Sequence, residues 1–260
     1  MGVVRTIDET KCIGCGRCVA DCVTHYLVMS EDDAGKKMPS FNKRSRCIDC
    51  GHCNAICPQG AINGGNPIFE IDENDTLLRV MAYKRSVRHF KKGSLIEEEK
   101  LNRIILGAQT APTEKNRKSA RILLIKDSLP QVYAMALDYL VSYVQESGSI
   151  NPLYAPTMEM YANRDEILNN AEYLVVYVGN PSSITDAAIS AERMQLVASE
   201  QGVGTLYRGD MKLAINNCEP LRELLGVRPN EEALVTFAMG ETNLHYNKPA
   251  IKYNRKVEYR

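Results

Sequence analysis

The sequence has no excess of charge of either sign, because 32 Lys and Arg residues balance 32 Asp and Glu residues. It also lacks a long basic run, whereas a protein that binds nucleic acid normally presents a basic face. No uncharged apolar stretch reaches the roughly 18 residues that suggest a transmembrane helix. The segment from Met1 to Glu9 has no apolar core of the kind found in signal peptides. We therefore expect a soluble, cytoplasmic protein that binds neither nucleic acid nor a membrane.

Cysteine, in contrast, is abundant: the 260 residues include nine, of which eight lie between Cys12 and Cys57. Eight cysteines in a secreted segment could form a disulfide framework, and C-x-x-C pairs also occur in zinc sites. The lack of an export signal and the regular short spacing favour ligation of metal clusters instead. The ninth, Cys218, stands alone near a predicted helix end, and we interpret it as structural.

The eight cysteines form two runs with one spacing, Cys12 to Cys22 and Cys47 to Cys57, and Pro58 follows the second run. This is the run of bacterial ferredoxins, in which three thiolates bind one cluster and the fourth binds the other. The predicted ligand sets are therefore interleaved. One set is Cys12, Cys15, Cys18 and Cys57, and the other is Cys47, Cys50, Cys53 and Cys22. Glycines at positions 14, 16 and 51 suit tight ligand loops, because glycine tolerates the backbone angles required.

Residues 1–63 thus resemble two-cluster ferredoxins, which implies two [4Fe–4S] clusters. One departure is Val23, which stands after Cys22 where the second run has a proline. Ferredoxins that shuttle between partners are often strongly acidic, as the resemblance implies. Residues 1–63 carry eight Lys and Arg against seven Asp and Glu. This near-neutral segment favours a domain that delivers electrons to its own chain over a free carrier.

Turn-forming residues from Asn63 to Pro67 mark a domain boundary. The predicted organisation is a cluster domain at 1–63, a linker at 64–75 and a second domain at 76–260. A closing strand is predicted at Ile68 to Ile71, and the acidic stretch from Asp72 to Asp75 suits a helix N-cap.

Helices and strands alternate in the second domain, which predicts an α+β fold, and no glycine-rich dinucleotide fingerprint occurs. A capping box at Ser94 to Glu97 predicts the start of the clearest helix. The other predicted helices are Thr76 to Lys84, Gln131 to Glu146 and Ala187 to Gln201. The predicted strands are Arg121 to Ile125, Tyr173 to Val178, Gly204 to Tyr207 and Ala233 to Met239.

Four short motifs occur in order along the second domain. The first is the cationic segment from Lys84 to Arg88, in which arginine forks suit a phosphate group. The others are Ala111-Pro112-Thr113 with Asn116, the segment from Gly202 to Gly209, and a basic tail that contains Arg255. In this order and spacing the motifs resemble the nitroreductase family of flavoproteins over about residues 76–260.

The resemblance implies FMN as a cofactor and a homodimer with two FMN sites at its interface. The implied phosphate and ribityl contacts are Lys84, Arg85, Ser86, Arg88 and, from the tail, Arg255, for which Lys252 is a competitor. The implied contacts to the flavin ring are Pro112, Thr113, Asn116, Tyr207, Arg208 and Gly209. The first three come from the partner subunit. We further expect Arg208 to stabilise the anionic reduced flavin, the alternative being a surface arginine.

Together these features predict an oxidoreductase in which two clusters pass single electrons to FMN, which reduces a small organic acceptor such as a nitro compound or a quinone. The expected donor is external and of low potential, either a ferredoxin or NAD(P)H, and no side chain is nominated as a catalytic acid or base. The main alternative is an electron-transfer protein that serves a partner protein. An enzyme that acts on the flavin itself or on halogenated aromatics, and a cluster domain that senses oxygen or iron, are also compatible with the sequence.

Overall fold

The structure, a computed structural model, describes residues 5–31, 35–64, 71–72, 74–147, 170–249 and 257–260. The chain divides into two compact units. The first, called the cysteine unit, comprises Met1–Lys84 and Leu244–Arg260, and the second, called the sheet unit, comprises Arg85–Asn243. The predicted division ended the first domain at residue 63 and assigned the whole tail to the second. The predicted strand at 68–71 lies outside the described residues except for its last residue, Ile71, which is not in a strand.

The cysteine unit consists of short elements. In chain order they are β1 (Thr6–Ile7), α1 (Arg17–Ala20), β2 (Leu27–Glu31), β3 (Lys37–Phe41), α2 (His52–Ile56), β4 (Ile62–Asn63) and α3 (Thr76–Tyr83). β1 pairs antiparallel with β4, and β2 pairs antiparallel with β3. The predicted N-cap of α3 is confirmed, since the Asp75 side chain accepts a hydrogen bond of 2.9 Å from the backbone N–H of Leu78.

The two cysteine loops adopt one local conformation. Gly16 and Gly51 each stand immediately before a short helix with φ near 72°, the left-handed region that glycine enters without steric cost. Gly14 also has positive φ, at 66°, and the equivalent position of the second run is Asp49, with φ 53°. Aspartate is one of the few other residues that visit this region. The backbone conformation predicted for these glycines is therefore confirmed.

The core of the cysteine unit includes the C-terminal segment. Its buried residues are Cys18, Leu27, Cys53, Ile56 and Ile62, and Leu244 and Tyr246 pack against them. The backbone N–H of Asn247 also donates to the carbonyl of Ala55, at 2.8 Å. These contacts explain why the described part of the tail belongs with the cysteines rather than with the second unit.

The sheet unit is built on one antiparallel sheet. Its helices and strands are α4 (Glu98–Gln109), β5 (Arg121–Ile125), α5 (Leu129–Ser147), β6 (Tyr173–Gly179), α6 (Ile184–Glu200), β7 (Val203–Tyr207), α7 (Gly209–Asn217), α8 (Glu219–Leu224) and β8 (Glu232–Glu241). The strand order is β5-β6-β8-β7, and the register aligns Ile122 with Tyr177, Val175 with Phe237, and Thr205 with Met239. All four predicted strands are confirmed within a residue or two at each end.

Two helices, α4 and α6, share one hydrophobic core with the buried strand β6. On α6 the small-residue face predicted from the sequence, which includes Ala191, Met194 and Ala198, is fully buried against the sheet. The chains of α4 and α6 approach closely, since a Cβ on Gly107 would lie 2.6 Å from the Val197 side chain. The capping-box prediction is wrong: α4 begins at Glu98, and the hydroxyl of Ser94 donates instead to the carbonyl of Lys91.

No helix in the described parts of the chain is both long enough and apolar enough to span a membrane.

Candidate functional site

The cysteine unit contains two hollows, each lined by four cysteines. Cys12, Cys15, Cys18 and Cys57 line the first hollow, together with Ile13, Pro39 and Pro58. Cys22, Cys47, Cys50 and Cys53 line the second, together with Arg5, Tyr26 and His52. The hollows enclose nearly equal atom-free spaces, about 340 and 360 Å³ including their open mouths. Each run therefore places three cysteines in its own hollow and the fourth in the other, in the grouping that the spacing predicted.

The thiols suit a multinuclear group. All nine cysteines, each within the described residues, are free. No three Cys, His, Asp or Glu side chains of the described residues converge on a single ion position. Burial, reinforced by the neighbouring cysteines, raises the pKa of Cys18 to about 12, and burial raises the pKa of Cys53 to about 11. Four thiolates around one space need cationic iron to offset their charge, and a cubane accepts one thiolate at each iron.

A buried polar cluster joins the tail to the ligand-bearing segments. Asp21, next to Cys22, is 1% exposed, and its Oδ2 accepts from His52 Nδ1 at 3.0 Å and from the Tyr246 hydroxyl at 3.1 Å. The rings of His52 and Tyr246 also meet edge to face, with centroids 5.5 Å apart. This cluster was not predicted, because no local sequence pattern relates positions 21, 52 and 246.

In the sheet unit, the cationic segment lies alongside β7. Ser86 forms a parallel bridge with Thr205, and the backbone N–H of Val87 donates to the Thr205 carbonyl at 2.9 Å. Gly204 permits this approach, since a Cβ there would lie 2.7 Å from the Val87 side chain. Arg85 is buried, while Ser86 and Arg88, like Lys84 at the end of the cysteine unit, are half-buried. The structure thus brings two of the four sequence motifs together, 85–88 and 202–209.

Arg208, predicted as a cation that stabilises the reduced flavin or else as a surface arginine, is 7% exposed and carries a carboxylate partner. Its guanidinium makes a two-point ion pair with Asp210, through Nε to Oδ1 at 2.9 Å and through Nη2 to Oδ2. Burial alone would raise the pKa of Asp210, but Arg208 more than offsets this, and the pKa lies below its usual value. The charge of Arg208 is therefore largely balanced within the protein. Asp210 was missed, although its place two residues after Arg208, in the first turn of α7, was a usable signal.

Tyr207 stands at the end of β7 with 47% of its surface exposed, and its hydroxyl donates to Glu192 at 3.4 Å. Burial of the hydroxyl end, together with the charge of Glu192, raises the pKa of Tyr207 to about 12. Gly209 follows as the first residue of α7, where a Cβ would point into open space among the described residues. The exposed tyrosine ring therefore offers a flat apolar surface beside the cationic segment.

The third predicted motif forms a tight loop after α4. Pro112 and Asn116 are exposed and Thr113 is half-buried. The hydroxyl of Thr113 accepts from the backbone N–H of Lys118 at 3.1 Å, and Asp186 on α6 accepts from that of Glu114. The loop is thus held by α6. The fourth motif, which contains Lys252 and Arg255, lies outside the described residues.

Comparison with known proteins assigns a family model to each part of the chain. The model of the nitroreductase family matches residues 81–241, and that of the 4Fe-4S dicluster domain matches residues 11–62. A curated relative, the FMN reductase (NADPH) of Bacillus subtilis, is 24% identical over 189 residues, which cover 68% of this chain and 70% of that protein.

Solved structures show a similar fold. A nitroreductase with bound FMN from Desulfitobacterium hafniense DCB-2 matches with a TM-score of 0.57 at 23% identity, and the match covers 74% of this chain and all of that one. An FMN-dependent nitroreductase from Clostridium difficile R20291 matches with a TM-score of 0.55 at 17% identity, over 72% of this chain and all of that one. At these identities the matches establish the α+β fold.

Proposed function

The chain belongs to the nitroreductase family, with a 4Fe-4S dicluster domain near its N-terminus, and from this premise we propose an FMN-dependent oxidoreductase that receives electrons through two [4Fe–4S] clusters. The observation that carries the proposal is the pair of four-cysteine hollows in a chain whose other unit has the nitroreductase fold. When bound, the clusters would supply single electrons, and FMN would supply the two-electron chemistry.

The eight cysteines would hold the clusters in the two interleaved sets described above. Their chemistry supports this, since thiolates are the protein ligands of iron–sulfur clusters. The backbone contributes as well. The N–H of Ala61 donates to the Cys57 sulfur at 3.2 Å, and the N–H of Asp49 donates to the Cys47 sulfur at 3.4 Å. Such hydrogen bonds hold a thiolate ligand in one orientation.

FMN would lie against the cationic segment and the end of β7. Arg85, Ser86 and Arg88 would bind its phosphate and ribityl chain. Lys84 would add a positive charge but not the paired donors of a guanidinium. Tyr207 and Gly209 would contact the ring. Arg208 would lie beside the flavin ring, held in place by its ion pair with Asp210. Because Asp210 balances part of its charge, Arg208 would not act as a full positive charge there. Arg255 remains proposed as a further phosphate contact.

A homodimer would complete the site. Exposed apolar side chains support this, since Leu77, Leu78 and Met81 on α3 are 63%, 47% and 39% exposed. Apolar surface of this kind is typical of a subunit interface. Pro112 and Asn116 are also exposed, so they are available to a neighbouring subunit's flavin, with Thr113 between them. We propose that this loop packs on the isoalloxazine of the partner.

The donor is proposed to be an external reductant, a ferredoxin or NAD(P)H, and the acceptor a small organic molecule such as a nitro compound or a quinone. Anaerobic purification should yield about eight iron and eight sulfide per chain, since two cubanes hold four of each, and one FMN. In a double variant Cys12→Ser/Cys47→Ser, the donor should no longer reduce the flavin at the parent rate. Cys218→Ser, outside both hollows, is the matched control.

Full-rate flavin reduction by NADPH in the double variant would refute the path through the clusters. Reduction of a partner protein, with no turnover of nitroaromatics, quinones or halophenols, would favour the electron-transfer alternative instead.

A further inference from the structure

The second hollow contains a buried cation. The side chain of Arg5 is 2% exposed, and Arg5 lines the hollow formed by Cys22, Cys47, Cys50 and Cys53. Its Nη1 donates to the carbonyl of Gly64 at 2.7 Å, which fixes the guanidinium in place.

Within the described residues, neither Nε nor Nη2 of Arg5 has an oxygen or nitrogen acceptor at hydrogen-bond distance. The guanidinium faces the Cys47 and Cys53 thiols. Burial lowers the pKa of Arg5, but its interaction with these thiols raises that pKa above its usual value. The nearest carboxylate oxygen is Asp49 Oδ1, which lies 3.7 Å from Nη2, too far for a hydrogen bond. Burying charged donors in this state is costly unless an anion faces them. A cubane with four thiolates carries net negative charge and is such an anion.

The first hollow has no counterpart to this cation. Apart from the cysteines, its lining residues are all uncharged: Ile13, Gly16, Pro39, Pro58, Gln59, Ala61 and Ile62. Backbone N–H···S bonds do not create the difference, because one is seen in each set, at Cys57 and at Cys47. Arg5 is therefore the buried cation by which the two linings differ, while the Asp49 carboxylate, 3.6 Å from the Cys47 sulfur, offsets part of its charge.

We propose that Arg5 makes the cluster held by Cys22, Cys47, Cys50 and Cys53 the more easily reduced of the two. The inference rests on the proposed function, since it needs both clusters. Net charge and hydrogen bonds to sulfur set the potential of an iron–sulfur cluster. Reduction adds one negative charge, and a fixed cation beside the sulfurs stabilises that added charge more than it stabilises the oxidised form.

This difference sets the order in which the two clusters are reduced. With both clusters bound, one electron would pass from the cluster of the first hollow, which would be oxidised, to the cluster beside Arg5, which would be reduced, with no bond made or broken. At equilibrium a singly reduced unit holds its electron beside Arg5. Asp49 opposes this effect in part, because its carboxylate lies near the guanidinium.

The test is a redox titration of the full anaerobic chain, followed by the paramagnetic signals of the reduced clusters. In the parent, two midpoints are expected. Arg5→Met should make reduction of one cluster at least tenfold less favourable, a fall of about 59 mV or more for a one-electron couple, and should leave the other midpoint in place. Asp49→Asn, which keeps a residue that tolerates positive φ, should raise the same midpoint.

Arg44→Met is the matched control, since it removes the same charge from an exposed position three residues before Cys47. It should move neither midpoint appreciably, because solvent screens that charge. Cys15→Ser and Cys50→Ser assign the midpoints, as each perturbs the cluster of its own hollow.

Unchanged midpoints in Arg5→Met, or equal shifts of both, would overturn the inference. If Arg5→Met does not retain its iron, Arg5→Gln, which keeps hydrogen-bond donors without the charge, decides, and a midpoint that stays or rises in that variant overturns the inference. A parent chain that contains no iron and sulfide would refute the proposed function itself, so the two failures are distinguishable.

Discussion

The contact between the C-terminal segment and the ligand-bearing helices predicts that a tail residue controls how long the clusters are retained. Tyr246→Ala would remove the hydroxyl that donates to Asp21 at 3.1 Å, and the ring that meets His52 at 5.5 Å. We expect this variant to lose cluster iron faster than the parent, although position 246 is nearly two hundred residues from the last ligand, Cys57.

The size of the effect can be worked from these contacts. Loss of the hydroxyl's hydrogen bond should cost about 1 kcal/mol, the typical net value for a protein hydrogen bond, because Asp21 Oδ2 keeps His52 as a partner. Tyr246 is half-buried, so loss of its ring should cost about 1 kcal/mol, well below the 3–5 kcal/mol of a fully buried aromatic side chain. A total of about 2 kcal/mol corresponds to roughly a 30-fold increase in local opening. Tyr246→Phe keeps the ring, and about 1 kcal/mol corresponds to roughly a fivefold increase.

The assay follows visible cluster absorbance and released iron after addition of a chelator under anaerobic conditions, with flavin content measured in parallel. Tyr259→Ala is the control, since Tyr259 belongs to the same tail but is 94% exposed. The rates should rank Tyr246→Ala above Tyr246→Phe, with the control equal to the parent. Equal rates for all four proteins would refute the role of the tail, and loss of flavin before iron would show that the damage began in the sheet unit.

Three further predictions concern the sheet unit. Gly204→Val would push the segment at Val87 away from β7, so flavin affinity should fall by tenfold or more. Flavin fluorescence during titration would measure this, and unchanged affinity would contradict the proposed binding site. Asp210→Asn leaves Arg208 with an unbalanced charge, so the flavin midpoint potential should rise, and a potentiometric titration that finds no rise would place the flavin away from this pair. Hydrogen bonds from Arg121 lower the pKa of Glu231 to about 2, whereas a glutamate in an unfolded chain has a pKa of roughly 4.3. Its stabilisation is therefore present above about pH 4 and is lost as the pH falls toward 2. Glu231→Gln should lower the free energy of unfolding by about 1–2 kcal/mol at neutral pH. It should also weaken the pH dependence of stability below about pH 4, as thermal unfolding at several pH values would show.

Much of the fold was readable because its signals are local. The strand at Tyr173–Gly179 is a continuous apolar run, and α6 shows its buried face at helical spacing, so both were predicted from neighbouring residues alone. The start of α4 was predicted wrongly, since the capping box at Ser94 is a local pattern that the chain does not use. A serine hydroxyl can donate to a nearby carbonyl, or it can accept from the N–H groups at a helix start. The sequence does not show which of these bonds forms.

By itself, the sequence predicted the two interleaved cysteine sets, because each run has the spacing of bacterial ferredoxins, in which the fourth cysteine binds the other cluster. The linings of the two hollows show the same grouping. Only the tertiary structure decided which other residues stand beside them. Arg5, Asp21 and Tyr246 come from three distant parts of the chain, and packing rather than spacing brings each to the cysteine unit. The same holds for Arg208, whose charge looked available in the sequence until the fold placed Asp210 against it. Charge at a site depends on three-dimensional neighbours and burial, and neither is encoded in a short motif.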